Sequence, residues 1–171
     1  MKQATSESVV IARHINAFLN EYVPSQKSRS SHTLTSYQYA LALYISFLET
    51  EKGISAERLC GGCFSRIIIE EWLQWLMEFR DNSPETCNNR LASLRTFLKY
   101  LGTRDILKLY LSDDATWIQR KKEVRKKVKG LSKKAVQALL SVPDLSLKSG
   151  RRDLGLMIII FSTAARIDVV L

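Results

Sequence analysis

This sequence predicts an all-α fold, and three observations carry that expectation. Apolar residues recur at spacings of three and four along most of the chain, the mark of helices that each bury one stripe. Helix-breaking and helix-capping residues punctuate these stretches at Pro24, Gly53, Ser83-Pro84, Gly102, Ser132 and Pro143. A strongly basic run from Arg120 to Lys134 separates two apolar, helix-patterned regions. The expected organisation is a bundle of four or five helices over residues 1–118, a basic linker over 119–130 and a shorter helical region over 131–171.

Taken in order, Val9 to Tyr22 reads as a first helix with Val10, Ile11, Ile15, Phe18, Leu19 and Tyr22 inward, broken by Pro24 and the polar run that follows. A second helix places Leu34, Tyr37, Leu41, Tyr44, Ile45 and Leu48 inward and stops near Gly53. Its opening crowds Arg29, Ser30, Ser31, His32, Thr33, Thr35 and Ser36 at one end. Short hydrogen-bonding groups beside a cation and a helix N-terminus favour phosphate; capping by Ser31 or Thr33 explains one or two of the seven. Residues 54–66 read as a loop carrying Cys60-Gly61-Gly62-Cys63. A C-x-x-C pair suits half a zinc site or a redox pair. With no second pair and no histidine close in sequence, two ordinary thiols is the simpler reading.

A third helix, about Ile67 to Arg80, buries Ile68, Ile69, Trp72, Leu73, Leu76 and Phe79, and its neighbouring Glu70 and Glu71 read as first-turn acids that complement the dipole. Ser83 and Pro84 then open a fourth as N-cap and first helical residue. Cys87, Leu91, Leu94, Phe97, Leu98 and Leu101 form its buried seam, and Gly102 ends it. The opposite side carries Asn88, Asn89, Arg90, Ser93, Arg95, Thr96 and Lys99 with no acid after Glu85. Amides and guanidinium groups at this spacing can reach base edges and phosphates, whereas a merely solvated face usually mixes charge signs. One more short helix falls between Ile106 and Trp117. Past the basic run, Ser132 caps a helix, Leu131 can staple onto Val136, and Pro143 closes it. Residues from about Arg151 to Ser162 form an apolar helix expected to be buried nearly all round.

Charge narrows the partner. The run from Arg120 to Lys134 holds nine of the 26 basic residues and one of the 17 acids, almost the entire net charge of +9. A belt of this kind between two regions suits a polyanion passing between them, and a sequence pI near 9.6 puts nucleic acid first and an anionic membrane surface second. A solvated helix or a tether is the plainer alternative. The N-terminus shows no signal pattern, and the longest apolar stretch falls far short of the ~20 residues a span needs. Three cysteines without framework spacing fit a reducing compartment, so the expected location is the cytosol.

Together these residues resemble the tyrosine recombinase (phage integrase) family. The second helix opens on a family-like pattern at Ser31 to Tyr37. The fourth resembles S-x-x-T-x-N-x-R-L-x-x-L-x-x-F-x-x-Y-L, carried here by Ser83, Thr86, Asn88, Arg90, Leu91, Leu94, Phe97, Tyr100 and Leu101. A basic linker follows, then L-S-x-x-x-V-x-x-L-L at Leu131, Ser132, Val136, Leu139 and Leu140, and the T-G-x-R-I-x-E-L turn at Thr163, Ala164, Arg166, Ile167 and Val170. The resemblance implies a SAM-like core-binding domain, a linker and the opening helices of a catalytic domain, acting in DNA integration and recombination of a mobile element. It implies double-stranded DNA as the partner, and neither a cofactor nor a metal.

By the same resemblance Arg166 is the first catalytic arginine, holding the scissile phosphate with a planar fork of donors. Ala164 stands where the family has glycine, which strains the turn if φ is positive there, and Val169 replaces a common acid. None of the six tyrosines follows Arg166, so none matches the family nucleophile, and the expectation is a fragment that binds DNA without cleaving it. The DNA-binding set is Arg29, Ser31, His32, Thr33, Thr35, Ser36, Thr86, Asn88, Asn89, Arg90, Ser93, Arg95, Lys99, Arg120, Lys121, Lys122, Arg125, Lys126, Lys127 and Lys129. The chain ends inside an apolar pattern, which reads as a larger domain cut short, and a monomer is expected in solution. Two rivals stand beside this reading: a recombinase remnant that occupies sites without chemistry, and a helical protein whose basic run meets an acidic partner or lipid.

Overall fold

The computed structural model describes residues 4–27, 30–122 and 130–164. Those residues form helices and turns, with no strand among them. The chain divides into two compact units, Met1–Val124 and Arg125–Leu171.

In the first unit, α1 (Ser6–Ala17) starts on Thr5, whose hydroxyl accepts the Ser8 N–H. It does not stop before Pro24. The helix widens into a π-helical segment, Phe18–Lys27, that carries Pro24 inside it. A wider turn gives room to a proline ring that would clash with the carbonyl four residues back in an α-helix. The Ser25 hydroxyl donates to the Glu21 carbonyl at 2.6 Å, occupying an acceptor in the widened turn.

Helix α2 (Ser31–Lys52) ends where expected. Gly53 sits at φ 62, ψ 22, and the Ile54 N–H returns to the Leu48 carbonyl at 2.9 Å. Two 3₁₀ turns, Ala56–Arg58 and Gly61–Phe64, lead to α3 (Arg66–Glu78). Ile69, Trp72, Leu73 and Leu76 are buried there, but Phe79 is 74% exposed because the helix has already ended at Glu78. Glu70 and Glu71 are pair-forming rather than dipole acids: Glu70 meets Arg66 at 2.8 Å, and Glu71 reaches Lys52 of α2 at 2.7 Å.

Helix α4 (Pro84–Arg104) is the central pillar, packed on α2, on α3 and most extensively on α5 (Leu109–Thr116). Ser83 accepts the Thr86 N–H, and the whole expected seam from Cys87 to Leu101 is buried. Gly102 does not end this helix. It lies in the last turn, where a Cβ would come within 3.1 Å of Leu109 Cα. The glycine is there for close approach of α5, and Asp105 closes the helix instead, accepting the Leu107 N–H. Phe18 makes edge and tilted contacts with Tyr37, Phe97 and Tyr100, while Tyr44 meets Phe64 and Trp72. Each such fully buried ring contributes roughly 1.5–3 kcal/mol from burial.

The second unit contains α6 (Lys133–Leu140), capped as expected by Ser132, and α7 (Lys148–Thr163). The expectation that α7 is buried all round is overturned. Met157, Ile158, Ile159 and Phe161 are all more than a third exposed, and Gly150 is the buried residue of that helix. Among the described residues of this unit only the short α6 packs on it, and Met157, Ile160 and Phe161 share an apolar groove with Leu131, Val136, Leu139 and Leu140. Helix α7 ends on Ala164 at φ 51, ψ 24, a left-handed conformation that costs a non-glycine residue about 1–2 kcal/mol.

Candidate nucleic-acid interface

The polar opening of α2 and the early turns of α4 lie side by side. His32, Thr33, Ser36 and Tyr37 from α2 and Asn89 and Ser93 from α4 line one groove of about 390 Å³. The floor is fixed by the core beneath it, since Tyr37 packs edge-on against the fully buried Phe18. The rim is polar and mostly exposed: Ser31, His32, Thr35, Ser36 and Asn89 face solvent, and Thr33 and Thr86 are half-buried.

Arg90 follows Asn89 of the lining and reaches Ser36 across on α2. Its guanidinium stacks over the Tyr39 ring at 4.3 Å and its Nη1 makes one long hydrogen bond, 3.5 Å, to the Ser36 carbonyl. Stacking fixes the plane of the fork without spending all its donors. Helix α2 begins on Ser30 without a side-chain cap and has no acid in its first turn, whereas α1 carries Glu7 and α4 carries Glu85 there. No acid of its own first turn offsets the positive end where the groove opens, which favours an anion.

The expected outward face of α4 therefore splits into two stripes with different work. Asn89 and Ser93 line the groove with Arg90 bonded beside it to Ser36, although Ser93 is 8% exposed and its hydroxyl donates back to the Asn89 carbonyl at 3.1 Å. Thr86 is instead paired with Ser83 at the start of α4. Asn88 and Arg95 turn the other way and depart from the expectation. Asn88 is 3% exposed, donates to the Lys121 carbonyl at 2.9 Å and accepts the Lys121 N–H at 2.8 Å. Arg95 donates to the carbonyls of Ala115, Thr116 and Ile118. Burial, helped by the nearby Arg120 charge, draws its pKa below the ordinary value. An arginine that gives its Nε and Nη2 donors to three carbonyls at the end of α5 has most of its fork committed there. Together Asn88 and Arg95 fix the path of the chain through the first residues of the basic run. Lys121 is half-buried, Arg120 and Lys122 are exposed, and Lys99 is exposed on α4.

Arg29, Arg125, Lys126, Lys127, Lys129 and Arg166 lie outside the described residues. Sequence reasoning missed Tyr39, the platform for Arg90. Its signal was an aromatic residue off the apolar stripe of α2, but nothing in sequence links it to an arginine on another helix. Among the described residues no group of three or more His, Cys, Asp or Glu is placed to hold a metal, and no helix is long and apolar enough to cross a membrane.

Comparison with known proteins adds to this geometry. The family model described as phage integrase, N-terminal SAM-like domain, matches residues 15–105, more than half of the chain and all of the groove. The chain belongs to the phage integrase, or tyrosine recombinase, family. Its similarity extends further along the sequence in individual relatives. The integrase/recombinase y4rD of Sinorhizobium fredii is 26% identical over 95% of this chain and 58% of its own length. The tyrosine recombinase XerC of Bacillus subtilis is 24% identical over 86% of this chain and 46% of its own. XerD of Pseudomonas putida is 28% identical over 83% and 44%. The chain thus spans about half the length of the curated relatives it matches. No solved structure matches it significantly.

Proposed function

We propose that this chain is the DNA-holding N-terminal part of a site-specific tyrosine recombinase, working in the cytosol on duplex DNA. The observation that carries the reading is the α2–α4 groove. A helix N-terminus with no acid in its first turn, a row of hydroxyls and an exposed amide converge there beside a stacked guanidinium, in a chain whose charge excess is concentrated in one run. Hydroxyls and backbone N–H groups hold phosphates and set register, while Asn89 and Arg90 are the groups able to read base edges. The basic run from Arg120 supplies affinity that depends on salt and not on sequence. Residues 131–171 are the opening of the catalytic domain in this reading, and Arg166 is the arginine that would hold the scissile phosphate. The fragment binds as a monomer and does not cleave.

The test is binding of a labelled duplex containing the element's site at fixed salt. Arg90→Ala and Asn89→Ala should each cost about 1–3 kcal/mol of affinity for that site and much less on random duplex. Arg95→Lys, which leaves the groove untouched but loosens the segment leading to the basic run, should change binding to the site and to random duplex alike. Equal binding by the parent and both groove variants would overturn the assignment of the groove.

A further inference from the structure

The recombinase reading leaves Cys60 and Cys63 without work, and the structure places them together. Their Sγ atoms are 3.5 Å apart, and the Cys60 N–H donates to Cys63 Sγ at 3.4 Å. Gly61 and Gly62 separate them in a single 3₁₀ turn. Cys60 is half-exposed, while Cys63 is 2% exposed and its carbonyl accepts the Tyr44 hydroxyl at 2.6 Å. The turn is also tied to α1 and to the α4–α5 corner. Glu7 accepts both the Gly61 N–H at 2.9 Å and the Lys108 ammonium at 2.6 Å.

We propose that Cys60 and Cys63 are a reversible thiol–disulfide site, oxidised by a hydroperoxide within the first unit. Neither the groove nor the basic run takes part, so the site stands independently of the DNA-binding reading. The positions assign the two roles. An oxidant can reach Cys60 and not Cys63, so the Cys60 thiolate attacks the peroxide oxygen. The O–O bond breaks, an alcohol or water leaves, and Cys60 becomes a sulfenic acid. Cys63 then attacks that sulfur, the S–O bond breaks, and water leaves with the proton the Cys63 thiol gives up. Two thiols and one peroxide yield one disulfide, one water and one alcohol or second water, so the electrons balance. Burial holds the Cys63 thiol above its ordinary pKa, and the N–H from Cys60 opposes this. That suits a resolving thiol that stays protonated until a sulfenic acid forms beside it. The two sulfurs need to close by about 1.5 Å to reach bonding distance, a movement that the two intervening glycines accommodate.

Cys87 supplies the internal control, because it is fully buried in the α4 seam. The experiment treats the purified chain with hydrogen peroxide, then measures intact mass, titratable thiols and the oligomeric state. The expected result is simultaneous loss of two thiols with a mass lower by two hydrogens, no cross-linked dimer, Cys87 unmodified, and full reversal by dithiothreitol. Cys63→Ser should trap a dimedone-reactive sulfenic acid on Cys60. Should Cys63→Ser not fold, Cys60→Ser in the same assay should leave Cys63 reduced. Oxidation of Cys60 to sulfinic acid without a disulfide, cross-linking between chains, or modification of Cys87 first would each overturn the assignment.

Discussion

The two units of this chain solve the burial problem differently. In the first, the buried apolar residues run from Ile11 to Ile118 and include Trp72, Tyr44, Phe18, Phe64 and Phe97 at 2% exposure or less. In the second, Leu131, Leu139, Met157, Ile158, Ile159 and Phe161 are all exposed, and Gly150 is buried against the Asp144 backbone. The first unit has a core of its own. The second has an apolar surface in search of one, because the two helices among its described residues, of eight and sixteen residues, do not cover each other. Stability therefore resides in the first unit, which is also where the groove is built.

The most severe way to break this comparison is to separate the units. A chain of residues 1–122 should unfold in one cooperative transition, with the midpoint of the full chain, by calorimetry or circular dichroism. Residues 130–171 alone should show little helix in water. Cooperative melting of the shorter piece would refute the contrast. Paired truncations sharpen it next. Phe97→Ala should cost the first unit about 3–5 kcal/mol, whereas Phe161→Ser, at a side chain 63% exposed, should leave the main transition where it was.

A smaller effect is expected at Asn88. Replacing it with Ala removes two hydrogen bonds to the Lys121 backbone and should destabilise the first unit by about 1–3 kcal/mol. The same change should also free the start of the basic run, read as faster amide exchange at Lys121. Unchanged exchange there would show that Asn88 does not anchor it.

The smallest effect concerns pH. The hydrogen bond from Lys108, the Gly61 N–H and the Lys108 charge hold the Glu7 carboxyl below its ordinary 4.5. Because its folded pKa is depressed, Glu7 contributes stability that is complete above its unfolded value and is lost as pH falls through the folded one. Partial exposure of Glu7 keeps the contribution to a few tenths of a kcal/mol. Glu7→Gln should remove that acid-side loss from the first unit and leave α6 and α7 untouched.

How much of this was legible in sequence follows from the same contrast. The seam of α4 and the caps at Gly53, Ser83 and Ser132 could be read directly, because local chemistry decides them. Gly102 and Pro24 misled, since one answers to the approach of Leu109 and the other to a widened turn, neither visible in a local window. The groove was half legible. Its polar residues stood out by type, but helical spacing alone could not divide Asn89 and Arg90 from Asn88 and Arg95. That division depends on where the segment 115–121 packs, and so does the finding that Arg95 serves carbonyls. The exposure of α7 was illegible for the opposite reason: an apolar helix announces that it wants cover, and not whether this chain supplies it.

The most direct test of the central claim is affinity for duplex DNA across a salt series, with the parent beside a Lys121, Lys122, Lys126 and Lys127 to Ala variant. Log affinity should fall linearly with log salt, by about 0.9 per phosphate neutralised. The parent should show a slope of several units that becomes shallower in the variant, while the discrimination contributed by Asn89 and Arg90 persists in both. A parent that fails to bind duplex DNA at low salt would contradict the account.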